Sequence, residues 1–73
     1  MKNPVYEVIF EVTETLQSGK ERRIKKSVFV PRFKHGKHIP PEEQIARGEA
    51  ALKDAHYYNI VYVSTKATIL IVG

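Results

Sequence analysis

From Val5 to Leu16 apolar and polar residues alternate with a period of two. Tyr6, Val8, Phe10, Val12 and Leu16 fall on one face, and Glu7, Glu11, Thr13 and Thr15 on the other. Successive side chains of a strand point to opposite faces, so this pattern predicts a half-buried β-strand, and its β-branched and aromatic residues suit one. Gln17-Ser18-Gly19 follows as a three-residue turn, with glycine at the third position, where the backbone turns left-handed. That loop pairs Leu16 with Lys20, Val12 with Ile24, Val8 with Val28 and Tyr6 with Val30, and sets Glu11 opposite Lys25. A slip of one residue would put Val12 against Lys25 and lose both matches. The second strand therefore spans about Arg22 to Val30, and Pro31, which has no amide donor, ends it or marks it as an edge.

Residues 31–40 show no periodicity and read as a loop, punctuated by proline at both ends and by Gly36. A connection this long in so small a chain is a candidate for function. Pro41 suits the first turn of a helix, and Glu42 and Glu43 complement the positive end of its dipole. Ile45, Gly48, Leu52 and Ala55 recur on one stripe to about His56, with Ala51 beside it and with Lys53 and His56 in the last turns. Gly48 on that stripe lets the helix approach the sheet, at a cost in helix propensity.

The rest of the chain is rich in β-formers. Ile60–Val63 and Ile69–Val72 are apolar runs around Ser64-Thr65-Lys66-Ala67-Thr68. The polar middle is either a turn between two short strands, the favoured reading, or the centre of one long strand. The expected fold is a single α+β domain over residues 1–73, an antiparallel sheet with one helix packed on one face, in the order ββαβ(β). Strand one is central, between strand two and the first C-terminal strand. Both C-terminal runs are apolar on both faces, and Val5, Ile9 and Phe29 add apolar residues to the outer face of the hairpin. A second buried surface is therefore expected, covered by another copy of the chain through the outer sheet face or the C-terminal strand.

Composition narrows the setting. A chain of 73 residues buries only about 60% of its unfolded surface, and with no cysteine it has neither disulfides nor thiolate metal ligands to support a small core. The absence of cysteine is compatible with a reducing interior, and a cytoplasmic, soluble protein is expected. No stretch reads as a signal peptide, and the run from Ala67 to Val72 is far shorter than the roughly 20 residues of a membrane helix.

The net charge of +4 conceals a division. Residues 20–38 hold Lys20, Arg22, Arg23, Lys25, Lys26, Arg32, Lys34 and Lys37 against Glu21 alone, a net +7, while the remaining residues net −3. Such a footprint points to a polyanion, whose phosphates lysine and arginine neutralise with release of counterions. The expected function is a non-enzymatic nucleic-acid-binding module that uses the basic hairpin and the 31–38 loop. Arg22, Arg23, Lys25, Arg32, Phe33, Lys34 and Lys37 are its candidate contacts, with Phe33 placed to stack on an exposed base. The alternative is a small inhibitor or regulator, of the kind mobile elements encode, docking on a larger, acidic protein surface. Solvated cations that protect an edge strand account for the same charge without any ligand.

Catalytic chemistry finds little to stand on. His35 and His38 are close in sequence, but a zinc site needs three or four ligands, and Glu42 and Glu43 already serve the helix start. Ser18, Ser27 and Ser64 lack a nucleophile-elbow pattern, the only aspartate is Asp54, and the glycines never take a phosphate-cradling spacing. Glu7 and Glu11 share a strand face as a solvated pair, and Tyr57 and Tyr58 read as packing at the end of the helix. No cofactor, no metal and no membrane partner are expected.

Overall fold

A computed structural model describes residues 2–71. Strand β1 (Lys2–Thr15) pairs antiparallel with β2 (Glu21–Pro31) through the Gln17–Gly19 turn, in the register that the hydrophobic pattern specifies. Val12 faces Ile24, Val8 faces Val28 and Tyr6 faces Val30, with Glu11 opposite Lys25. The turn closes through Leu16 N–H to Lys20 O at 2.7 Å and Gly19 N–H to Leu16 O at 2.9 Å, with Gly19 at φ 86°. A residue with a Cβ resists that angle.

Residues 31–40 are more ordered than their lack of periodicity suggests. Phe33–Lys34 (β3) and Lys37–His38 (β4) form a small antiparallel ribbon around His35 and Gly36, whose φ values are 54° and 78°. Positive φ at both central residues is the turn that matches strand twist, and glycine at the second makes it accessible. Ile39 N–H donates to Arg32 O at 2.9 Å and closes the base of the ribbon.

Helix α1 (Pro41–Asp54) packs on one face of the sheet. It buries Gln44, Gly48 and Leu52 with Ile45 half-buried, whereas Ala51 and Ala55 are exposed. Gln44 extends the buried stripe at the helix start, while Ala55, which the apolar pattern places on it, is the exposed C-cap. The Gln44 amide donates to Ile39 O at 2.6 Å, so a buried polar group is satisfied by the loop that leads into the helix. The helix ends where Ala55 and His56 turn out of it. His56 N–H reaches Lys53 O and Tyr57 N–H reaches Leu52 O, both at 3.0 Å, with His56 left-handed at φ 68°. This is the C-terminal arrangement that usually places glycine at the left-handed position.

The C-terminal segment is one long strand, not two. Strand β5 (Tyr58–Ile71) pairs antiparallel with β1, which gives the sheet order β2-β1-β5. Ser64–Thr68, expected as a turn, instead pairs residue for residue with Val5–Ile9. Threonines on a strand flanked by apolar runs suit a half-buried ladder, and no glycine or asparagine there favours a bend. Two register shifts, between Ile9 and Phe10 and between Glu11 and Thr13, leave extra residues on β5. Asn59, at φ 51°, lies within the second. Val72 and Gly73, which the apolar pattern adds to this strand, lie outside the described residues.

The core lies between the helix and one sheet face. Val8, Phe10, Val12, Val30, Ile39 and Leu52 form its buried cluster, with Tyr6, Ile24, Val28, Ile45, Tyr57 and Ile60 packed around it. Gly48 sits directly on Phe10. A Cβ at residue 48 would meet the fully buried ring at 2.5 Å, closer than atoms can approach.

Two stability predictions follow from this packing. Gly48→Ala improves helix propensity yet loses about 1–3 kcal/mol in urea denaturation, because the ring beneath it cannot yield. His56→Gly gains about 1 kcal/mol in the same measurement by relieving the left-handed position.

Candidate nucleic-acid interface

The basic residues divide by what their side chains meet. On β2, residues alternate between the helix face and the outer face, so Arg22 and Arg23 point opposite ways. Arg22 pairs with Glu14, directly across the strand pair. Arg23 crosses β1 on the outer face. Its guanidinium meets Glu11 Oε1 at 3.3 Å and donates to Thr13 Oγ1 at 2.9 Å, Glu11 O at 3.2 Å and Asn59 O at 2.5 Å. Glu11 therefore pairs diagonally with Arg23 and leaves its register partner Lys25 exposed, with no ion pair among the described residues.

Arg32 makes the equivalent crossing at the other end of the sheet. Its Nε donates to Val5 O at 3.0 Å and its Nη2 to Thr68 O at 2.6 Å, with the guanidinium carbon 5.7 Å from the centre of the Tyr6 ring. Both arginines reach from the β2 side to carbonyls on the seam between β1 and β5. They tie three strands together, and their donors are directed into the fold.

Lys34 and Lys37 stand differently. They are direct cross-strand partners at the last pair of the β3–β4 ribbon, both exposed, and neither has an acidic partner among the described residues. No acidic residue lies in the chain between Glu21 and Glu42. Like charges facing each other across a ladder are destabilising. Phe33 and His38 form the other pair of the ribbon, ring centres 4.4 Å apart, and Phe33 remains 46% exposed. The ribbon is braced from below, since the Tyr6 hydroxyl and His38 Nδ1 lie 3.3 Å apart and Ile39 is buried in the core.

The seven candidate contacts are thus not one continuous patch. Phe33, Lys34 and Lys37 come together on the ribbon, with Arg32 at its base. Arg22 and Arg23 lie about 30 Å away, nine strand residues along β2, and Lys25 lies between. Lys26 faces the helix side, its ammonium 5.4 Å from the centre of the Tyr57 ring. Two features were not read from the sequence. The ribbon has a local signal, the left-handed-tolerant His35-Gly36 pair set between Phe-Lys and Lys-His. The crossings made by Arg23 and Arg32 have none, because their acceptors are backbone carbonyls of remote segments.

Among the described residues there is no pocket, and no three histidine or acidic side chains are grouped to hold a metal ion. No helix is long and apolar enough to cross a membrane. The Tyr58 phenol is held above its ordinary pKa, first by its hydrogen bond to Glu21, against an opposing contact with Thr15. Tyr58 lies beside the Gln17–Gly19 turn, at the end of the sheet away from the ribbon. Comparison with known proteins adds no relative, since no family model, curated protein or solved structure matches the chain.

The division between internal and outward cations has a measurable consequence. Arg23→Ala loses about 1–2 kcal/mol of unfolding free energy, because it removes charge-assisted bonds that join β2 to β5. Lys25→Ala stays within about 0.5 kcal/mol of the parent in the same denaturant titration.

Proposed function

We propose that the chain is a non-enzymatic binding module whose β3–β4 ribbon engages a nucleic acid. The observation that carries this reading is the Lys34–Lys37 pair, two ammonium groups facing each other on a protruding ribbon with no acid to neutralise them. A phosphate between them relieves the repulsion and releases its counterions. A two-stranded ribbon has the dimensions to enter the major groove of a duplex, and the exposed Phe33 ring offers a stacking surface to an unpaired base. Arg32 holds the base of the ribbon, whereas Arg22, Arg23 and Lys25 lie along β2 away from it and are not part of this surface.

A second contact is part of the proposal, and a separate observation favours it. Val61, Val63, Ile69 and Ile71 on β5 are all exposed, Ile71 at 78%. The outer sheet face carries the Glu7–Lys66 and Glu11–Arg23 ion pairs and, away from β5, exposes only Phe29 among its described large apolar residues. The apolar exposure therefore centres on the C-terminal strand, and the chain associates there with another copy of itself. An acidic protein surface as partner draws on the same ribbon lysines.

Fluorescence titration of labelled single-stranded and duplex DNA at two salt concentrations tests the ribbon. Binding is expected to weaken steeply with salt, and the Lys34→Ala/Lys37→Ala variant to lower the log–log salt slope by about two. Phe33→Ala is expected to weaken single-strand binding by about 1–3 kcal/mol and to spare the duplex. No binding at low salt, or a double variant that binds like the parent, would remove the proposal.

A further inference from the structure

The two edges of the sheet are unequal. Edge strand β2 carries Arg22, Arg23, Lys25 and Lys26 and ends in Pro31, features that discourage another strand from adding to it. Edge strand β5 has no proline, and its only charged residue, Lys66, has its ammonium 3.7 Å from Glu7. Both register shifts lie before Ser64, so from Ser64 to Ile71 the edge is exposed, largely apolar and regular, a template for strand pairing.

The register of the sheet identifies which groups on that edge are free. Leu16 N–H bonds to Lys20 O, and Arg32 N–H reaches Pro4 O at 3.4 Å, so even-numbered residues of β1 direct their backbone groups to β2. Odd-numbered ones direct theirs to β5, where Val5, Glu7 and Ile9 meet Thr68, Lys66 and Ser64. By alternation, Thr65, Ala67, Ile69 and Ile71 turn their N–H and C=O groups to the open edge. Their side chains share the helix face, beyond the reach of a helix only about 21 Å long.

We infer that β5 pairs antiparallel with β5 of a second copy about a two-fold axis at Thr68, giving a continuous six-stranded sheet. The inference rests on the reading that the chain self-associates, and it specifies the surface and the register. Alternatives fail on particular residues. A centre at Lys66 sets two ammonium groups against each other. A centre at Ala67 puts Ile71 opposite the register shift at Val63. With Thr68 at the centre, Ala67 meets the partner's Ile69 and Thr65 meets the partner's Ile71, so all four of these residues are paired. On the other face Thr68 meets its own image, a favourable pair, and the stem of Lys66 lies against the partner's Leu70. The charges also fit. The cationic β2 edges fall at opposite ends of the joined sheet, five strand spacings or about 24 Å apart.

The lack of cysteine makes this register directly testable. Thr68 meets its image as a non-hydrogen-bonded pair, with Cα atoms about 4.5 Å apart, within disulfide range. Thr68→Cys is therefore expected to form a covalent dimer under oxidised glutathione. Lys66→Cys, about 13 Å from its image, is expected not to. Sedimentation at high micromolar concentration is expected to show twice the 8.4 kDa chain mass. Ala67→Pro removes an N–H directed at the partner, so it is expected to leave the circular dichroism spectrum unchanged and return a monomer. A parental chain that sediments as a clean monomer overturns both self-association and the pairing. A dimer that Thr68→Cys does not cross-link, or that survives Ala67→Pro, overturns the pairing alone and leaves association through another surface.

Discussion

The helix can lie on this sheet because residue 48 has no side chain. Gly48 rests on the Phe10 ring, which is fully buried, and any larger residue would force the two layers apart. Much of the core depends on that approach. Phe10 also meets Tyr62 edge-on, with ring centres 6.1 Å apart, so one aromatic side chain joins helix, central strand and C-terminal strand. In a chain with so small an interior, a close helix-to-sheet contact over a single ring stands in for the broader layers of larger domains.

The same geometry explains what is left uncovered. A helix of 14 residues spans about 21 Å, whereas the 14-residue strands β1 and β5 run to about 46 Å. The molecule is accordingly elongated, 44 × 29 × 19 Å. Apolar residues at the far end of β5 lie past the helix and remain on the surface. Exposure at that end is thus a consequence of unequal element lengths.

Positive charge serves two ends in this fold. Arg23 and Arg32 are long enough to cross the central strand, and their forked donors satisfy carbonyls on its far side. They act as ties across the sheet in a protein that has no disulfides. Lysine lacks that fork, and Lys34 and Lys37 face solvent at the ribbon tip. A count of basic residues along the chain merges these groups, although the first is bonded within the sheet and the second is exposed.

Strand one, its partner and their register were legible in the sequence, because a period-two pattern with a glycine-closed turn admits one alignment that matches the apolar faces. The helix start at Pro41 and the close approach at Gly48 were equally legible, since both are local. The C-terminal strand was not. Ser64–Thr68 has the composition of a turn or of a strand, and only pairing with Val5–Ile9 decides between them. The helix stripe shows the same limit, because Gln44 is buried on account of a carbonyl, Ile39 O, that the loop brings to it. Sequence alone therefore determined the elements whose signal lies within a few neighbouring residues. Tertiary structure decided which cations turn inward, which edge stays open and which polar residues are buried, because each of those depends on a partner distant along the chain.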